Sequence, residues 1–338
     1  MRPFQTILQL FVWLSLGPIL YPLGAANAQA QPAGQLLVLL RDASALAIVD
    51  PTTRTVVGRV PTGRDPHEVT ATPDGRHAFV SSMVDGISVI DLAARRETRR
   101  INPGAGSRPH DVLFHNGKVY FTIEGYKSIG RYDPSTDEIA WTLGIGQDGT
   151  HMLVLDQDTN TMFMPNTQSN TITMVGNALD GPSQAQLTVI PIPGELPEGL
   201  DLSPNRQELW TATRNDGNVS IIDISSRRVV ETLTLGMKDA NRLKFTPDNK
   251  VLVIDGEAAS LVVIDAASRT ELKRVTLDNK DTGDGAILIA PDGSQAYLGL
   301  RDADRVAVLD LNTLEITHEI SMGDNSGPGC MYWTRTAN

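Results

Sequence analysis

An all-β, seven-bladed β-propeller is the fold this sequence predicts, on three observations. Short aliphatic segments ending in Asp recur every 41 to 47 residues. A Pro-Asp-Gly-type turn recurs earlier in each unit. The two ends of the chain supply complementary parts of a single unit.

The segments are Ala47-Ile-Val-Asp50, Ser88-Val-Ile-Asp91, Gly130-Arg-Tyr-Asp133, Thr173-Met-Val-Gly176, Ser220-Ile-Ile-Asp223, Val262-Val-Ile-Asp265 and Ala307-Val-Leu-Asp310. Two residues before each anchor the side chain is aliphatic except at Arg131, and three before it is mostly small. Period-two alternation of this kind marks a strand packed differently on its two faces. Asp at the anchor is a turn residue whose carboxylate accepts backbone N–H groups. The second turn reads Pro73-Asp-Gly75, Asn116-Gly117, Asp156-Gln-Asp158, Pro204-Asn205, Pro247-Asp-Asn249 and Pro291-Asp-Gly293. Four strands per unit follow, for example Glu68–Thr72, His77–Ser82, Ile87–Asp91 and Thr98–Ile101. Sheets of this size repeated around an axis leave few open edges. Leu36–Leu40, Ala45–Asp50 and Thr55–Val60 are strands two to four of a blade, and Cys330–Thr334 supplies its first strand. That closure sets the count at seven.

Gly63-Arg-Asp-Pro-His-Glu-Val-Thr-Ala-Thr-Pro-Asp-Gly75, followed by Ala78-Phe-Val80 and Ser88-Val-Ile-Asp91, resembles the YVTN-type propeller repeat of about 40 residues, and Tyr120–Gly125, Ile129–Pro134, Trp141 and Gly146–Met152 resemble an exported subset of that family of unsettled activity. The naming tetrapeptide itself is replaced by Phe79-Val-Ser-Ser82, Tyr120-Phe-Thr-Ile123 and Leu209-Trp-Thr-Ala212. The resemblance implies a propeller over the whole mature chain. Relatives of that kind include periplasmic and surface-layer proteins, lactonase-like enzymes and haem- or quinone-enzyme propellers.

Before the repeats, Arg2 precedes an apolar run from Ile7 to Leu23 and an Ala26-Asn-Ala28 site. This is the pattern of a secretory signal peptide over residues 1–28, leaving residues 29–338 as one propeller domain in the periplasm or outside the cell. No later apolar stretch reaches spanning length, so no membrane span is expected in the mature chain. A single cysteine, Cys330, excludes an internal disulfide, a Cys-based zinc site and covalent c-type haem; on the closing strand it reads as a small buried residue. The formal charge of −11 disfavours nucleic acid as a partner. A small-molecule ligand or another envelope protein remains.

Propeller loops that enter the inner strands converge on the channel mouth, where a ligand site is expected. His67, His110 and His151 fall at equivalent positions of three consecutive units, with Glu198, Asn241 and Gly285 (beside Asp284) in the next three. A second mouth position, nine residues before each anchor, carries Arg41, Glu124, Arg214 and Arg301 among others. His67, His110, His151 and Glu124 thus form a candidate site for Zn, Cu or Fe, with Glu198 nearby, because imidazoles with an open position suit those ions. The competing reading is that such imidazoles tie neighbouring blades together. Arg41, Arg214 and Arg301 form a candidate anion clamp, or they pair with Asp42, Asp216, Asp302 or Asp304. A lactonase-like hydrolase would use His110 or His151 as base, Glu124 as its partner and Arg214 or Arg301 as clamp. A redox propeller with a non-covalent cofactor is the third reading.

Three motif matches carry no chemistry. Gly144-Ile-Gly-Gln-Asp-Gly149 joins two strands, where a dinucleotide fold needs a strand-to-helix turn. Asp156–Asn160 lacks the Gly and Glu of a calcium loop, and His67-Glu68 is not followed by the second His of a zinc-protease helix.

Overall fold

The computed structural model describes residues 34–277 and 285–336. The segment expected to be a signal peptide, residues 1–28, and Asp284 lie outside the described residues. The described strands form seven four-stranded antiparallel sheets. Six take their strands in chain order, such as Pro66–Ala71, His77–Ser82, Gly86–Asp91 and Arg96–Ile101. The seventh is composite: Pro328–Arg335 pairs with Gly34–Leu40, which pairs with Ala45–Asp50 and then Thr55–Pro61. The tail therefore closes the ring as its first blade, and the others are numbered two to seven along the chain. Among the described residues no helix is long and apolar enough to cross a membrane.

The strand alternation explains why the blades stack. Leu36, Val38 and Leu40 join an apolar cluster with Val306, Val308 and Ile320 of blade seven, while Leu37 and Leu39 join Val69, Ala78 and Val80 of blade two. Seven such clusters occur, one in each gap between blades. Burial of both faces of every sheet is the main force holding the ring together. The anchor carboxylates act as expected. Asp50 accepts from the Thr52 and Thr53 amides, Asp91 from Ala94, Asp133 from Ser135, Asp223 from Ser226, Asp265 from Ser268, and Asp310 from Asn312 and Thr313.

One irregularity positions the site. The inner strands of blades two, three, five and six each break register near their start, between Pro66 and Val69, Pro109 and Val112, Pro197 and Leu200, and Ala240 and Arg242. A bulge puts an extra residue into one strand and re-aims side chains that strict alternation would send to opposite faces. Successive residues, His67 and Glu68 or His110 and Asp111, then both reach the axis.

Candidate metal and ligand site at the channel mouth

Equivalent hydroxyls hold the histidine backbones. Ser81 of blade two donates to the His110 carbonyl, and Thr122 of blade three donates to the His151 carbonyl at 2.7 Å. His110 and His151 are thus each fixed by the blade before them. A short 3-10 turn, Glu124–Tyr126, projects Glu124 from blade three. Gly125 lets this turn lie against the preceding loop: its amide bonds the Ser107 carbonyl at 2.9 Å, and a Cβ there would stand 1.9 Å from the Gly106 carbonyl oxygen.

The three imidazoles form a ladder. His67 and His110 have ring centroids 4.6 Å apart, and His110 and His151 are 3.6 Å apart. Their environments differ sharply. Arg41 donates to His67 Nε2 at 3.0 Å, and a guanidinium has no lone pair to accept with, so Nε2 is the acceptor and Nδ1 gives its proton to the Asp65 carbonyl at 3.0 Å. Burial and then Arg41 lower the His67 pKa, keeping that ring neutral. His151 is bracketed by carboxylates, with Glu124 at 2.9 Å from Nδ1 and Glu198 at 3.7 Å from Nε2. Burial would lower its pKa, but the bonds to Glu124 and Glu198 prevail and raise it to about 9. His110, between them, is 1% exposed, and both of its ring nitrogens are buried without a hydrogen-bond partner. Burial, then the flanking His151 and His67, lower its pKa well below the ordinary value.

Ligand atoms of His110, Glu124 and His151 all lie within 4.8 Å of one another. Of the four residues expected to share a metal, these three come together, while His67 is turned to Arg41 and Asp65. Shifts of about 1 Å would bring three such atoms to the spacing of ligands on one tetrahedral ion, about 3.3 Å. Glu198 supports the group from behind. It is 4% exposed and meets Arg214 at 3.1 Å and Arg242 at 3.2 Å as well as His151. Burial opposes its ionisation, yet His151 and the two guanidiniums hold its carboxyl well below the usual range.

The three mouth arginines do not converge on one point. Arg41 bonds Asp65 at 2.6 Å, Arg214 bonds Asp239 through Nε at 2.8 Å and Nη2 at 3.1 Å, and Arg301 bonds Asp42 at 2.6 Å. Asp65 and Asp239 lie on the connections into the next blade and Asp42 on the hairpin turn after Gly34–Leu40 of blade one, so each pair staples neighbouring blades.

A second ring of axial residues was not foreseen from the sequence: Glu68, Asp111, Met152, Gly199, Arg242, Ala286 and Cys330. Arg242 spans the channel, bonding the Gly285 carbonyl at 2.9 Å and Met152 Sδ at 3.3 Å, with Glu68 at 3.5 Å. Gly199 lets the inner strand carrying Arg242 approach closely: a Cβ there would stand 2.7 Å from the Leu243 amide nitrogen. Cys330 is half-buried and lines this channel, rather than sitting sealed in a core. Asp111 accepts from the Leu153 and Val112 amides at 2.6 Å each; burial and then Glu68 push its carboxyl up to about 7.

Comparison with known proteins places this geometry among other propellers. The cytochrome D1 heme domain family matches residues 32–139, about a third of the chain. The uncharacterized protein YncE of Salmonella typhimurium is 26% identical over 170 residues, covering 48% of this chain and 46% of that protein. The chain thus aligns with about half the length of that relative. Two solved structures share the fold. One is a candidate 6-phosphogluconolactonase of Bacteroides uniformis, with TM-score 0.71, 16% identity, and 90% of this chain and all of that one covered. The other is a dihydro-heme d1 dehydrogenase, with TM-score 0.64, 13% identity, and 90% of this chain and 76% of that one covered.

Proposed function

We propose that this chain is an exported propeller that binds a divalent transition metal (Zn, Cu or Fe) at the channel mouth, with His110, His151 and Glu124 as ligands and a small polar ligand completing the shell. One observation carries the reading: His110 is a buried imidazole with both nitrogens unpartnered, within ligand distance of a second imidazole and a carboxylate. Buried polar atoms nearly always find partners, and a metal ion would give the His110 ring one. The metal would replace the proton that His151 shares with Glu124, because metal ligands bind deprotonated. Glu198 would then orient the other edge of the ring, the carboxylate–imidazole–metal arrangement that stiffens such sites. Export rests on the apolar N-terminal segment and its Ala26-Asn-Ala28 site.

The hydrolase reading is weaker on this geometry. His151 with its pKa near 9 carries a proton at neutral pH and is an acid rather than a base, and Glu124 partners His151, not His110. Among the described residues the axis is occupied by imidazoles in contact with one another and by Arg242 crossing the channel below them, which does not favour a flat tetrapyrrole there.

The deciding experiment is metal analysis of protein purified without a polyhistidine tag, followed by Zn, Cu(II) and Fe(II) titration of the EDTA-treated form. About one equivalent is expected, with loss of at least a hundredfold in affinity in His110→Ala and His151→Ala. Absence of binding, or full binding by both folded variants, overturns the reading.

A further inference from the structure

Beneath Arg242 the channel widens into a chamber of about 210 Å³ to which all seven blades contribute. It lies further along the inner strands than the histidines and shares no residue with the proposed metal ligands. Its wall is an unbroken aliphatic ring, one residue per blade from Val69 to Met331, and every member is less than 9% exposed. One strand position further on, Leu113, Val154, Lys244, Leu288 and Tyr332 are half-buried, so the chamber opens toward the face opposite the histidines. The inner end is polar, formed by Glu68, Asp111, Cys330 and the underside of Arg242.

We propose that this chamber binds a small organic amine, its aliphatic or aromatic body against the apolar ring and its ammonium group toward Glu68 and Asp111. An apolar wall holds water poorly and rewards an apolar body. The head group follows from charge. Arg242 lies closer to Glu198, at 3.2 Å, than to Glu68, at 3.5 Å, and also bonds the Gly285 carbonyl. Lys244 faces Asp201 at 3.6 Å near the opening. Glu68 is therefore the undercompensated anion, with the Asp111 carboxyl beside it held by two backbone amides. Two neighbours report the same negative field: burial and then Glu68 push the Cys330 thiol well up, and Asp201, Asp111 and Glu68 raise the Lys244 ammonium. A carboxylate ligand would meet that field with the wrong sign.

Calorimetric titration of the full mature chain with benzylamine and n-hexylamine tests the proposal, with benzyl alcohol, benzoate and hexanoate as matched controls. Amine binding should exceed alcohol binding at least tenfold, and the acids should not bind. Glu68→Gln, which keeps the volume, should weaken amine binding at least tenfold. Leu243→Phe should abolish binding by filling the chamber; should it not fold, Leu288→Phe at the opening serves instead. EDTA should change none of this, which separates the chamber from the metal site. Equal binding of amine, alcohol and acid, no binding of any, or unchanged amine binding in folded Glu68→Gln would each overturn it.

Discussion

Glu198→Gln is the substitution that most directly questions the electrostatics of the mouth. In metal-free protein, His151 titrates near 9 instead of the ordinary 6.5, so the folded chain holds that proton about 3 kcal/mol more tightly than the unfolded chain does. Because the folded pKa is the raised one, this stabilisation is complete below pH 6.5 and is lost as pH climbs through 9. Glu198 supplies one of the two carboxylates responsible, and it is also the shared anion of Arg214 and Arg242. Removing the charge should cost about 1–2 kcal/mol through His151, and about 2 kcal/mol more through two guanidiniums left in a poorly hydrated site. At pH 6 both losses apply. At pH 10 His151 is neutral in either protein, and only the guanidinium part remains. Urea denaturation of EDTA-treated protein, followed by tryptophan fluorescence, should therefore show a loss of about 3–4 kcal/mol at pH 6 and about 2 kcal/mol at pH 10. A loss of equal size at both pH values would refute the imidazolium assignment, and no loss at either would refute the network.

Two further perturbations test how the site and the ring are built. Gly125→Ala places a methyl group against the Gly106 carbonyl oxygen, so the turn carrying Glu124 must move away from His151; zinc affinity, read by competition with a chromophoric chelator, should fall about tenfold or more while the far-ultraviolet spectrum stays unchanged. A chain ending at Gly327 loses the inner strand of blade one and uncovers Leu36, Val38 and Leu40; a cooperative thermal transition should disappear, and a sharp transition near that of the full chain would show that closure is dispensable.

The fold was legible because a propeller writes one structural decision seven times. Each aliphatic run ending in Asp is a weak strand signal alone, but recurrence at one blade length removes the ambiguity, and Cys330–Thr334 had no other place than beside Leu36–Leu40. The same logic reached His67, His110 and His151, since equivalent positions in the repeat become neighbours around the axis. It stopped where neighbours differ in kind. Pairing His67 with Arg41 rather than with a metal depends on a contact across blades one and two, which no column of aligned residues displays. Of the acids expected to partner the arginines (Asp42, Asp216, Asp302 or Asp304), Asp42 does hold one, but it is Arg301 across the ring closure, and a ring likewise places Asp65 beside Arg41 and Asp239 beside Arg214, each one blade onward. The second axial ring was hidden by the alternation rule itself. A strict strand would send Glu68 and Arg242 away from the face that His67 and Asn241 occupy, and only the bulge turns successive residues to the same channel. A sequence signal for it did exist. Glu68, Asp111 and Arg242 share a column with Gly199 and Ala286, and charges set among residues too small to cover them are what a cross-channel ion network requires.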